Sequence, residues 1–433
     1  MHKARFLTLL VAACICCAAC GAPSLRHKQE VNKLLAAGEF GAAAQKLESV
    51  RTKQYSRRDR VLYQLDSGAV LQDGGQYDQS DERFSAAQER IDELFTRSVS
   101  AYSARFFIND LTAPYQPAIY EQMLTYYYRA MNFLARGDLQ GALVEANRAV
   151  FYLDHLSDKN AAHWQNDAFV QYFMSLVFES AGKRDDARIA RSRAAQSNGA
   201  AVDALKMQAL PDGWGEVVIV HANGVVPLKK SQTFQIAWDR IWLWMNDAAE
   251  GESNVSPEVQ NAISSGLMGH SITLSYPVLE TQNYRIASSE AVTAQGQVYP
   301  TQLLGNVADA VETDLKEKQA GYFVRMATRA AAKRVMAVQA RHATEKASKD
   351  ESLGNLAELF VGILGAATEK ADTRQWFTLP AQFRLTRFYV PAGQQDITLR
   401  FKDGNGKIVG EHTFEKVPVQ PGGRVYLHYR TAK

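Results

Sequence analysis

The stretch RAMNFLARGDLQGALVEANRA, residues 129–149, decides the fold of the first half of the chain. Gly137 stands near its centre, with the small residue Ala130 seven positions before it and alanines at offsets of +5, +9 and +12. Similar spacing recurs around three further glycines: Gly38, Gly75 and Gly182. Recurrence of small residues at fixed offsets is typical of helix pairs stacked side by side.

The physical reason for this spacing lies in how helices cross. A small residue lets two helices approach closely, and a glycine takes the tight turn between them. Residues 28–205 carry the pattern with almost no proline, so they predict an α-helical repeat array of the tetratricopeptide (TPR) type. The pattern is imperfect, because 62 residues separate Gly75 from Gly137, and generic helical hairpins are the alternative.

Arrays of this type usually hold a peptide or a partner helix in a concave groove. We expect an envelope protein to bind in that groove against three aromatic candidates: Tyr126, Phe133 and Tyr172. Aromatic side chains at helical spacing also fill the core between repeats, so a purely structural role is the alternative.

The character of the sequence changes near residue 210, where Pro211 and Gly213 interrupt the helical pattern. The β-branched run EVVIVHANG, residues 216–224, then predicts a strand that ends in a turn. The chain is therefore predicted as α+β, with a TPR-like helical repeat array followed by an α/β domain over residues 212–433.

Two further elements are predicted within that second domain. Residues 302–347 predict one long helix, because they carry an apolar stripe at helical spacing and no proline. Residues from about 375 to 431 alternate between apolar and polar side chains and predict a C-terminal antiparallel β unit. The letters DGNG, residues 403–406, indicate a hairpin turn inside that unit.

Two polar clusters are candidates for binding a ligand, which for the first of them is a glycan, a phospholipid head group or an acidic peptide. Three basic residues share one face of the long helix: Arg325, Arg329 and Lys333. Three residues precede the β unit, with the tryptophan as a stacking platform: Asp372, Arg374 and Trp376. The alternatives are a solvated helix face for the first cluster and a structural ion pair for the second.

The N-terminus, residues 1–19, predicts a secretion signal with a basic start and an apolar run of 14 residues. That run is shorter than the roughly 20 residues of a spanning helix. Small residues precede Cys20, as in a bacterial lipobox. We therefore expect cleavage ahead of Cys20 and acylation (palmitate) of that cysteine. Residues 20–27 would then form a tether. Gly21 in place of aspartate favours the outer membrane, facing the periplasm. A plain signal peptide is the alternative.

Composition and motifs exclude several classes of function. The formal charge of the chain is +3. Removal of the predicted signal takes away Lys3 and Arg5, so the 49 basic residues fall to 47 against 46 acidic ones. A chain so close to neutral has no electrostatic reason to bind nucleic acid. No cysteine follows residue 20, so the later chain has no disulfide, thiolate metal site or cysteine nucleophile. The common nucleophile, zinc and phosphate-loop motifs do not occur. We therefore expect no enzyme, no metal and no cofactor.

Four stretches carry a resemblance that spans most of the chain: NDLTAPYQPAIYEQ (109–122), GEVVIVHANGVVP (215–227), ATRAAAKR (327–334) and ATEKADTRQWFTLPAQ (367–382). Together they resemble a family of TPR-containing proteobacterial outer-membrane lipoproteins, although the loop after Gly75 and the 240s depart from it. The resemblance carries no catalytic residues, and it implies an envelope role, with peptidoglycan as a further candidate partner.

We expect a non-enzymatic periplasmic scaffold in cell-envelope biogenesis or maintenance; a glycan- or lipid-binding envelope module is the alternative.

Overall fold

The computed structural model describes residues 23–97, 111, 113–156, 162–237, 271–319, 321–322 and 371–433. Within these ranges the chain is a mixture of helix and sheet, as an α+β class requires. Helices fill the first half, and strands dominate the second.

The helices of the first half, which we call the helical array, pack as successive neighbours. They are α1 (Leu25–Ala37), α2 (Phe40–Ser49), α3 (Arg51–Gln54), α4 (Arg60–Asp73), α5 (Tyr77–Arg97), α6 (Ile119–Ala135), α7 (Leu139–Asp154), α8 (Ala162–Gln165), α9 (Ala168–Ser180) and α10 (Arg184–Ala204). Helix α4 packs on α5, α6 on α7 and α9 on α10. A further helix, α11, covers residues 307–319 in the second half.

Glycines occupy the turns of these helix pairs for a conformational reason. The residues with φ between 70° and 77° there are Gly38, Gly75, Gly137 and Gly182. Residues with a Cβ atom rarely adopt this left-handed conformation, so the recurring glycines allow each helix to end and the chain to reverse. The sequence-based placement of the four turns is confirmed.

The crossing of α4 and α5 shows why a small residue recurs seven positions before the turn. A Cβ atom on Gly68 would lie 2.8 Å from the ring of Phe84, which is wholly buried. The Ser80 hydroxyl donates a hydrogen bond to the Gly68 carbonyl oxygen at 2.7 Å. Ala130 and Ser175, the equivalent residues of the later pairs, are also wholly buried.

The described strands of the second half form two four-stranded sheets and a ribbon. They are β1 (Trp214–Asn223), β2 (Leu228–Ala237), β3 (Ser271–Glu280), β4 (Ser288–Thr293), β5 (Val298–Pro300), β6 (Gln302–Asn306), β7 (Gln382–Pro391), β8 (Gly393–Lys402), β9 (Ile408–Val419) and β10 (Arg424–Thr431). The first sheet has the order β10-β1-β7-β6, the second has the order β5-β4-β8-β9, and β2 pairs with β3.

Strand β1 shows how these parts are layered, because its side chains alternate between two cores. Val218 and Val220 pack with the helical array, whereas Val217 and Ile219 pack with the second sheet. The first sheet is therefore the middle of three layers. Burial on both faces explains why the middle of β1, residues 217–220, is an unbroken apolar run instead of an alternating one.

One continuous core joins the helical array to the first sheet. Phe169 of α9 stacks on Phe383 of β7 with ring centroids 4.2 Å apart. The chain changes from helix to strand between Ala204 and Trp214, where the sequence also changes character. The division into two domains stays a prediction, but the two halves share buried side chains across a wide contact.

The predicted long helix is wrong at its start. Gln302–Asn306 forms strand β6, which pairs with β7, and α11 begins only at residue 307. Val307, Val311 and Leu315 are buried, so the part of the predicted apolar stripe that is described does face the core.

The predicted C-terminal β unit is neither separate nor wholly antiparallel. Strands β7 and β10 both flank β1 in the first sheet, and β10 runs parallel to β1, whereas β8 and β9 belong to the second sheet. The turn at residues 403–406 does connect β8 to β9, with Gly406 at a φ of 80°, as its sequence indicates.

Candidate functional site

The predicted ligand residues Asp372, Arg374 and Trp376 belong to the 371–379 segment, which lies against the helical array without regular secondary structure. Arg374 is buried, and its guanidinium lies 2.6 Å from Asp372 Oδ2 and 3.3 Å from Asp59 Oδ1. Burial alone would raise the pKa of Asp372, but the charge and hydrogen bonds of Arg374 hold it below its usual value. This geometry agrees with the structural ion pair.

The prediction that Trp376 stacks on a ligand is wrong, because the ring is core: Trp376 is 0% exposed. Its indole N–H donates to Thr378 Oγ1 at 3.0 Å, and its backbone N–H donates to Glu121 Oε1 at 2.9 Å. The rings of Phe84 and Tyr128 lie 5.7 Å and 5.4 Å from it, centroid to centroid. A ligand has no access to this side chain.

Two further buried groups fix the 371–379 segment. Lys28 of α1 donates from Nζ to the carbonyl oxygen of Thr373 at 2.7 Å. Asp66 of α4 accepts hydrogen bonds from the Tyr55 hydroxyl at 2.9 Å and from the Thr378 backbone N–H at 3.3 Å. Burial lowers the pKa of Lys28 to about 8 and raises the pKa of Asp66 to about 8. Both groups owe these shifts to enclosure beneath the segment.

We call the side of α1, α4 and α6 that holds this segment the inner face of the array. Each of these helices supplies one of its anchors, which are Lys28, Asp66 and Glu121. A peptide is therefore already seated on the inner face, and that peptide is part of the same chain.

Tyr172 is also closed off, on α9. It is 1% exposed, and its hydroxyl donates to the Leu205 carbonyl oxygen at 3.3 Å. The prediction that Tyr172 contacts a partner is wrong, because the first sheet covers this helix and the ring fills the core between them. The structural alternative is the one that the geometry supports.

An ion-pair cluster that sequence reasoning missed holds α9 to the first sheet. The Arg424 guanidinium lies 2.7 Å from Glu179 Oε2 and 2.6 Å from Glu216 Oε2, and Arg387 Nη2 lies 3.4 Å from Glu179 Oε2. Burial acts to raise the pKa of Glu179, but the surrounding arginines keep it below its usual value. Nothing local in the sequence signals this cluster, because its members are separated by up to 245 positions.

A second missed cluster joins β10 to α4 and α6. His428 lies 3.0 Å from Asp73 Oδ1 through Nε2 and 3.1 Å from the Tyr127 hydroxyl through Nδ1. The Arg430 guanidinium lies 3.4 Å from the other oxygen of Asp73. The His428, Asp73 and Arg430 side chains are at least 97% buried, and Tyr127 is wholly buried, so this chain of polar groups ties the layers together rather than facing a substrate.

The remaining two aromatic candidates differ in their surroundings. Phe133 is partly buried, with the guanidinium carbons of Arg136 and Arg129 at 4.8 Å and 5.7 Å from its ring centroid. Tyr126 is partly buried and lines an open groove on another side of the array. Of the three predicted partner residues, Tyr126 is the one that lines this groove.

That groove, which we call the outer groove, lies between α5, α7 and α10 and has Tyr126 of α6 in its lining. It encloses about 1450 Å³. Phe151 of α7 is 65% exposed and Ile189 of α10 is 43% exposed, and both line it. Tyr126 and Tyr152 add an aromatic pair with centroids 5.9 Å apart. Large apolar side chains left open along a groove mark surfaces that bind other molecules.

No protein-family model matches the chain, and no curated protein matches it either. Among the described residues, no three histidine, cysteine or carboxylate side chains are grouped to hold a metal ion. Within the same ranges, no helix combines the length and apolar character needed to cross a membrane. Four predicted site residues lie outside the described residues: Cys20, Arg325, Arg329 and Lys333.

Proposed function

We propose that this chain is a non-enzymatic lipoprotein of the outer membrane that serves as a protein-interaction scaffold in the periplasm, in cell-envelope biogenesis or maintenance. The observation that carries the proposal is the outer groove, where Phe151 and Ile189 are open on a rigid frame of packed helices. The pairing of helices across left-handed glycines supports a TPR-like array, a class built for holding protein segments.

The partner binds on the outer groove in this proposal, and the inner face serves the fold. The 371–379 segment already fills the inner face through buried ion pairs and hydrogen bonds. Displacing it would leave the buried Asp59 without its counter-charge, and Lys28 and Asp66 without their hydrogen bonds to the segment, at a cost of several kcal/mol. Binding in the outer groove does not require the 371–379 segment to be displaced and therefore has no such cost.

The lipid on Cys20 would hold this scaffold at the membrane in the same proposal. Helix α1 begins at Leu25, with the Ser24 hydroxyl accepting a hydrogen bond from the His27 N–H at 3.2 Å. The linker from Cys20 is therefore shorter than the predicted 20–27 tether, and five residues span at most about 17 Å. The array would thus remain close to the membrane surface.

A glycan- or lipid-binding module receives less support from the described residues. Its candidates Asp372, Arg374 and Trp376 are committed to the ion pair and the core. Its other candidates, on the strip from Arg325 to Lys333, lie outside the described residues.

Capture from cells tests the scaffold proposal. A tagged full-length chain is crosslinked in intact cells and purified, and the attached proteins are identified by mass spectrometry. The double variant Phe151→Ala/Ile189→Ala should lose a reproducible envelope protein that Val144→Ala retains, since Val144 is exposed on α7 without lining the groove. Cys20→Ala serves as the untethered control. Equal capture by both variants, or recovery of the bait alone, would contradict the proposal.

A further inference from the structure

The arginines that line the outer groove are already neutralised within the protein. Arg129 lies 2.8 Å from Asp81 Oδ1 and 3.0 Å from Glu145 Oε1, and Arg148 lies 3.0 Å from the same Glu145 oxygen. Arg193 pairs with Asp154 across the groove wall, between α10 and α7. These cations are therefore satisfied by neighbouring carboxylates and offer little attraction to an acidic partner.

Three carboxylates of the same groove are in the opposite situation. Glu89 and Asp92 on α5 and Asp186 on α10 are exposed, and among the described residues none of them forms an ion pair. The groove thus presents unpaired negative charge on two of its walls, around the aromatic side chains of Tyr126 and Phe151. Such a surface is complementary to a segment that carries apolar and cationic side chains together.

We propose that the outer groove binds a cationic amphipathic helix of an envelope protein. Its apolar stripe packs on Phe151 and Ile189, and its lysines or arginines pair with Glu89, Asp92 and Asp186. The apolar anchors stand on helices that flank an open channel, which is the setting in which amphipathic helices dock through residues at i, i+3 or i+4, and i+7. This inference specifies the partner of the scaffold function proposed above and depends on it.

Two synthetic helical peptides with one leucine stripe test the charge preference. In the first peptide lysines flank the stripe, and in the second glutamates replace them. The purified full-length mature chain with Cys20→Ala is used, because detergent around a lipidated protein would itself bind amphipathic peptides. Fluorescence anisotropy should show the lysine peptide binding more than about tenfold tighter than the glutamate peptide, with an affinity that falls as salt is added.

Variants then connect that preference to the groove. The charge reversal Glu89→Lys/Asp92→Lys/Asp186→Lys should abolish the preference for the lysine peptide. Phe151→Ala should weaken binding by about tenfold or more, because a central aromatic anchor carries much of such an interface. The matched controls are Glu82→Lys on α5 and Val144→Ala on α7, which are exposed outside the groove and should leave binding unchanged. Circular dichroism confirms that each variant is folded.

The outcomes separate this inference from the broader proposal. Equal binding of both peptides, or tighter binding of the glutamate peptide, overturns the inference that the partner is cationic. If Phe151→Ala then weakens the binding of both peptides, the groove still serves as a docking site for a protein segment. Binding of neither peptide also overturns the inference. The scaffold proposal falls separately, if capture from cells is unaffected by Phe151→Ala/Ile189→Ala.

Discussion

At the residue scale, the contact between Gly68 and Phe84 limits what the array tolerates. Gly68→Ala would place a Cβ atom 2.8 Å from a buried ring, so we expect it to lower the free energy of unfolding by about 1–3 kcal/mol. Gly41→Ala, also in a helix, has no atom within 4 Å of the added Cβ and should be neutral or slightly stabilising. Chemical denaturation measures both. A Gly68→Ala chain as stable as Gly41→Ala would contradict the close crossing.

His221 makes a prediction about pH at the same scale. It is wholly buried between Ser289 Oγ at 2.8 Å and Thr431 Oγ1 at 2.7 Å. Burial, followed by the charges of Arg384 and Arg430, lowers its pKa to about 3. The unfolded chain binds a proton near the ordinary value of about 6.5, so the stability that neutral His221 contributes is complete above that pH and is lost on acidification towards pH 3.

His221→Gln removes this titration while keeping a donor and an acceptor. The variant should therefore have a lower free energy of unfolding than the natural chain near pH 7. This difference should shrink by about 2–3 kcal/mol at about pH 4.5, because only the natural chain loses stability on acidification through His221. Denaturation curves at the two pH values measure it, with His155→Gln, at the exposed residue that follows α7, as control. A deficit that is independent of pH would show that His221 does not titrate in this way.

At the element scale, the 371–379 segment is the feature on which the array depends most. Arg374→Ala would leave the buried Asp59 and the partly buried Asp372 without their counter-charge, at an expected cost of about 3–5 kcal/mol. The matched control is Arg400→Ala, which removes a partly exposed pair with Glu411 at 3.8 Å and should cost about 0–1 kcal/mol. Urea denaturation compares them. Similar costs for both would mean that the segment is loosely held.

The sequence could predict the elements whose signals are local. The recurring glycines predicted the helix turns, the apolar run predicted β1, and the letters DGNG predicted the β8–β9 hairpin. Residues 302–306 were misassigned because QLLGN fits helical spacing as well as a short strand, and pairing with β7 decides the outcome. The burial of Trp376 was not predictable, because the four residues before it are polar and the partners of this segment lie up to 345 positions away.

At the scale of the whole molecule, the shared core makes the helical array and the first sheet depend on each other for burial. Phe169, Tyr127 and Phe383 belong to one cluster, so neither half can open without exposing the other. We expect a single cooperative unfolding transition, with coincident curves from far-UV circular dichroism and tryptophan fluorescence. Two separated transitions, as independent domains would give, would contradict this.

Site-specific photo-crosslinking in living cells tests whether the partner binds in the outer groove. A photoreactive amino acid is placed at Ile189 in the outer groove, or at Val298 on β5, which is similarly exposed on the second sheet. We expect a discrete adduct with one envelope protein from Ile189 and none from Val298. Adducts from both positions alike, or from neither, would contradict it.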